Sequence, residues 1–127
     1  MSTEKTLDER WSDMSDQYLE DAVYEGQSMH GRISCAFESG YLAVLRCLGP
    51  DAQHRYEHPD IGALRALGRL CNVDVGLALK FLAHRYAGDT EQLPALPAML
   101  FWAQKMRVLA KAKAEMPDAI ETDPDHL

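Results

Sequence analysis

Five histidines, three cysteines and a few serines are the side chains of this sequence whose chemistry could go beyond packing. His54 and His58 lie four apart, a spacing that would set both imidazoles on one helix face, with Glu57 and Asp60 nearby as oxygen ligands. Pro59 works against this, because a residue before proline is pushed out of helical geometry. No further ligand follows at a metal-binding spacing. We therefore read 50–58 as a polar connection with two solvated histidines and expect no metal. His84 and Arg85 stand together near the end of an apolar segment, where positive charge meets the free carbonyls of a helix C-terminus. His30 stands beside Gly31 and Arg32 in a glycine-interrupted stretch. His30, Arg32, His84, Arg85 and the adjoining Tyr86 are thus the residues we single out for binding a ligand or a partner. The imidazoles would handle protons and the guanidiniums a phosphate or carboxylate.

Several chemistries lack their signature. Ser28, Ser34 and Ser39 are not set in a Gly-x-Ser-x-Gly elbow. No glycine leads into a Lys-Ser or Lys-Thr pair, so there is no phosphate loop, and no dinucleotide fingerprint follows a strand. We expect no catalytic set and no cofactor. Cys35, Cys47 and Cys71 are an odd number at spacings of 12 and 24, which fits neither a zinc pair nor a redox motif. On one helix Cys35 and Cys47 would be about 18 Å apart and could not bond. Their apolar neighbours (Ile33, Ala36, Val44, Leu45, Leu48) mark them as buried, reduced thiols acting as small hydrophobes.

The elements that must position these groups all read as helices. From Tyr18 to Leu48, apolar or small residues fall at 19, 22, 23, 26, 29, 33, 37, 41, 44, 45 and 48, a stripe at spacings of three and four. A break between Gly26 and Gly31 would make this two helices, and its absence one kinked helix. Gly49-Pro50 ends the segment. A second helix starts near Pro59-Asp60, carries Ile61, Leu64, Leu67, Leu70 and Cys71 on one face, and stops at Asn72. Asp74 suits the N-cap of a third, with Val75, Leu79, Leu82 and Tyr86 inward and Gly88 at its end. After a loop over 88–94, Pro97 suits the first turn of a last helix with Leu96, Leu100, Ala103, Met106, Leu109 and Ala110 inward. Lys105, Arg107, Lys111 and Lys113 gather towards its C-terminus. Phe101 is expected in its core stripe, and Trp102 at a groove or an oligomer contact. Pro117 closes it.

The fold expected is all-α: a compact antiparallel bundle of four or five helices over 11–116. A flexible acidic head (1–10) and a disordered acidic tail (117–127) flank it. The chain's 127 residues suit one such domain. Its net charge of −7 is uneven: residues 1–25 carry −6, 115–127 carry −5 and the middle carries +4. A mildly basic body between acidic ends could bind anions gated by those ends. The plainer reading is that the ends keep a small protein dispersed. A pI near 5.1 and the lack of a basic stripe argue against duplex DNA. No apolar run approaches the roughly 20 residues of a membrane span, and no basic start leads into an apolar segment, so we expect a cytoplasmic protein without membrane contact.

The block from Arg32 to Arg46 (RISCAFESGYLAVLR) resembles the long helix of HEPN-type bundles. The likeness runs through His58-Pro59, the leucine-rich second helix and Phe81 to Tyr86 (FLAHRY), covering about residues 18–114. HEPN ribonucleases carry an Arg followed, after four to six residues, by a His, which sets a cation and an imidazole at a dimer groove. From Arg10, Arg32, Arg46, Arg55, Arg65, Arg69, Arg85 and Arg107 no such His follows. The resemblance therefore implies a non-catalytic member. Such a protein is a helper or binding module that self-associates as a homodimer or holds a protein partner, with Arg85-Tyr86 where the family carries its Arg. The alternative is a small ribonuclease or nucleotide-acting enzyme of the same type. It would bind RNA or a nucleotide, with His30, Arg32, His84 and Arg85 supplying acid–base and phosphate-binding groups.

Overall fold

The structure is a computed structural model that describes residues 5–49, 61–87 and 93–115. Of these, 84% are helical and none is in a strand, so the chain is an all-α helical bundle. The described helices are α1 (Leu7–Val23), α2 (Met29–Leu48), α3 (Ile61–Cys71), α4 (Gly76–Ala87) and α5 (Leu96–Glu115).

α1 begins inside the segment expected to be a flexible head. Thr6 forms a capping box there: its hydroxyl accepts from Glu9 N–H at 3.1 Å, and its own N–H donates to the Glu9 carboxylate at 2.9 Å. Two first-turn donors are thereby satisfied, and Asp8 and Glu9 suit the positive end of the helix dipole. Residues 7–10 are helix. Trp11, Ser15 and Ala22 form the buried stripe of α1.

The glycine-interrupted stretch is two helices. α1 ends at Val23, and Ser28 caps α2 by accepting from Gly31 N–H at 3.0 Å. Gly49, at φ +97°, ends α2 in a conformation that other residues adopt only under strain. Along the two helices, Ala22 meets Arg32, Ser15 meets Ser39 and Asp8 meets Arg46. Ascending positions on one helix pair with descending positions on the other, which makes α1 and α2 an antiparallel hairpin.

α2 is the central helix. Ser39 to Leu45 are buried without interruption, as a helix covered on all sides requires. α1 and α5 pack along α2, α3 packs against it, and α4 bridges α3 and α5. Asn72, at φ +55°, stops α3, and the Asp74 carboxylate accepts from Gly76 N–H at 2.8 Å to start α4.

The expected core holds at Ile33, Phe37, Tyr41, Leu45, Leu64, Leu67 and Leu82, all buried. Leu79, Leu100 and Leu109 are half-buried at its edge. Leu70, expected inward on α3, is exposed. The largest correction is on α5: Trp102 is 4% exposed and Phe101 69%. The buried stripe of α5 runs through Leu96, Met99, Trp102, Ala103, Met106 and Ala110. Phe101 lies two residues from Ala103, about 200° around the helix, and so points away from the core.

The His54/His58 connection, the expected helix start at Pro59-Asp60, the stops at Gly88 and Pro117, and the 117–127 tail lie outside the described residues.

Candidate functional site

Three of the five residues singled out from sequence meet at the seam between α2 and α4. His30, in the first turn of α2, and His84, in the last turn of α4, bring their ring centroids to 6.0 Å at an interplanar angle of 47°. Beside them, Arg85 Nη1 donates to Glu38 Oε2 at 3.3 Å. Its guanidinium carbon lies 4.9 Å from the Phe81 ring centroid and 5.5 Å from that of Phe37. Those rings stack at 4.6 Å, and Phe37 also stacks with Tyr41 and Trp102. Arg85 thus lies across the edge of the aromatic core, its charge held by a carboxylate and by ring faces.

Burial pushes the Glu38 carboxyl above the usual carboxylate range, and the Arg85 guanidinium pulls part of the way back. The effect reaches α1. The Tyr18 hydroxyl is raised by burial and by the negative charges of Glu38, Cys35 and Asp21. Burial also raises the Cys35 thiol, against a stabilising contact from the Gln27 amide. A raised thiol is a poor nucleophile at neutral pH. Chemically, the seam can hold a carboxylate and a guanidinium in fixed register and present two imidazoles at its rim.

Arg32 points elsewhere. Its Nε donates to Ala22 O at 2.9 Å and its Nη2 to Val23 O at 3.5 Å, so it caps the C-terminal end of α1. The last turn of α1 has no basic residue of its own, and Arg32 supplies the missing charge from the next helix. Tyr86 belongs to α4, and its side chain lies outside the described features. Among the described residues, no three His, Cys, Asp or Glu side chains converge as a metal site. No described helix is long and apolar enough to cross a membrane.

Two features have no counterpart in the sequence reading. Glu38, the one acid of α2, is the partner of Arg85, and its isolation within RISCAFESGYLAVLR was the signal available. The second lies on α5. A groove of about 390 Å³ is lined by Ser12, Arg46, Gln104, Arg107, Val108 and Lys111. Arg46 forks onto Asp8 at 2.9 and 3.2 Å, and Arg107 pairs with Asp16. Val108 of this lining is 68% exposed; Phe101, seven residues before it on α5, is 69% exposed, and the Lys105 ammonium lies 5.8 Å from the Phe101 ring centroid. No protein-family model, curated protein or solved structure matches the chain.

Proposed function

We propose that this chain is a non-catalytic interaction module, a HEPN-like helper bundle that engages a protein through the outer face of α5. The carrying observation is the exposure of Phe101 and Val108, seven residues apart and therefore on one face of a helix whose opposite face is core. Large apolar side chains grouped on a surface helix are what a partner covers. The two arginines that could have served a phosphate support the same reading: Arg32 holds the end of α1, and Arg85 is engaged by Glu38 and two rings. We take the cytoplasm as its compartment, consistent with three unpaired cysteines.

Sedimentation and tagged co-purification test this. We expect association, with itself or with a retained protein, that Phe101→Ser combined with Val108→Ser abolishes while the circular dichroism spectrum is unchanged. A strictly monomeric chain that retains nothing rules it out.

The second reading, a small ribonuclease or nucleotide-acting enzyme, draws on the convergence of His30, His84 and Arg85 at one seam. Incubation with mixed RNA decides it. Cleavage lost in both Arg85→Ala and His84→Ala would favour the enzyme, and equal, negligible cleavage by all forms would end it.

A further inference from the structure

On α5 the fold leaves apolar surface and positive charge side by side. Phe101 and Val108 stand out from the helix, with Lys105 between them and Lys111 one turn beyond Val108. Glu115, at the very end, is the one acid of α5, against Lys105, Arg107, Lys111 and Lys113. Where the cations of the adjoining groove have a partner, it is a carboxylate: Asp8 on Arg46 and Asp16 on Arg107. Among the described residues, Lys105 and Lys111 have no ion pair. The strip from Phe101 to Ala112 is about 16 Å long, the reach of three helical turns.

Resting on the interaction-module reading above, we propose that this strip docks an acidic amphipathic helix of another protein. The apolar stripe of that helix covers Phe101 and Val108, as in helix-in-groove recognition. Its flanking Asp or Glu side chains meet Lys105 and Lys111. Charge complementarity selects this occupant. A second copy would bring its own Lys105 and Lys111 onto the same strip, and like charges at a contact disfavour pairing.

Two labelled helical peptides, titrated into the full-length protein and followed by fluorescence anisotropy, test the proposal. Both carry Leu at heptad a and d positions; one has Glu at e and g, its twin Lys. The Glu peptide is expected to bind, more weakly as salt rises from about 50 to 500 mM, and the Lys peptide is not. Lys105→Glu combined with Lys111→Glu should weaken the Glu peptide about tenfold or more, as should Phe101→Ser. Met14→Ser, exposed on α1, should leave it unchanged. Equal binding of the two peptides, or indifference to the α5 variants, overturns the proposal. So does a gain in affinity when Asp118, Glu121, Asp123 and Asp125 are neutralised to Asn or Gln in the full chain, because the chain's own acidic end would then be the occupant. A dimer that Phe101→Ser dissociates refutes the acidic-helix partner and leaves the interaction module standing. A monomer that binds neither peptide and retains no protein refutes both.

Discussion

Gly40 lies against the indole of Trp102. A Cβ built on Gly40 would stand 2.3 Å from Trp102 Cζ3 and 3.0 Å from Ala103 Cα, closer than such atoms approach. α2 and α5 meet at this point because one of them has no side chain there. An alanine in a helix ordinarily gains up to about 1 kcal/mol over glycine. Here the new methyl meets a buried ring and a backbone atom, neither of which yields cheaply. We expect Gly40→Ala to destabilise by about 1–2 kcal/mol net, read from urea unfolding. Gly68→Ala on α3 should instead be neutral or stabilising, since its nearest neighbour, Val73 O, is at an ordinary 3.4 Å.

Ser15 and Ser39 close the α1–α2 hairpin with reciprocal bonds. Each hydroxyl donates to the other residue's carbonyl at 2.8 Å, and the two Oγ atoms are 3.0 Å apart. Both side chains are buried. Replacing one by Ala should cost about 0.5–1.5 kcal/mol. Because each bond runs to a backbone carbonyl that survives the substitution, the two changes should couple only through the 3.0 Å Oγ–Oγ contact, and the double change should cost slightly less than the sum. A double-mutant cycle with no coupling would show that the two hydroxyls act independently.

Much of this fold is legible in the sequence, and the limits have physical causes. Helix stops at Gly49 and Asn72 are local, set by backbone preference, and they stand as read; Asp74, read as an N-cap, lies one residue before the cap position Val75 and supports the start through its bond from Gly76 N–H. Tyr41 and Leu45 are buried because α2 is covered all round from Ser39 to Leu45, so any register would bury them, whereas Ile33 and Phe37 follow the inward stripe beside half-buried Ser34 and Glu38. α5 is harder: it carries apolar residues on both sides, and period alone cannot say whether Phe101 or Trp102 faces inward. Tertiary packing against Gly40 decides for Trp102. The α2–α4 seam was legible by half. His30, His84 and Arg85 are recognisable as residue types, but Glu38 is 47 residues from Arg85, and no spacing rule reaches that far.

Cys47 is buried, and its thiol is pushed up to about 11, chiefly by burial. The thiolate is the reacting form, so Cys47 is protected twice, by access and by protonation. In the native state at pH 8, a thiol-specific reagent should label the half-buried Cys35 and Cys71 first and leave Cys47 unmodified. Cys47 should react at the rate of global unfolding, so added denaturant should accelerate it most. Labelling of Cys47 as fast as Cys71 under native conditions would mean that the α2 core opens locally.

Glu38 and Arg85 set a pH dependence whose sign can be worked out. Burial raises the folded-state pKa of Glu38 above its ordinary value, so the native protein holds that proton to higher pH than the unfolded chain does. Stability from this group therefore falls as pH rises from the ordinary carboxylate range through the raised value, and it recovers on acidification through the same window. Arg85 opposes the shift, and removing it leaves a half-buried carboxylate without its counter-charge. Arg85→Ala should raise the Glu38 titration further, read from its side-chain carboxyl carbon by NMR. It should also cost on the order of 1–3 kcal/mol at pH 7. Arg85→Lys should retain part of the pairing while losing the planar guanidinium that spreads over Phe37 and Phe81. Glu38→Gln should flatten the pH profile in this window. If Arg85→Ala left the Glu38 titration unmoved, the ion pair would contribute nothing to the seam, and the cation would be held there by the rings alone.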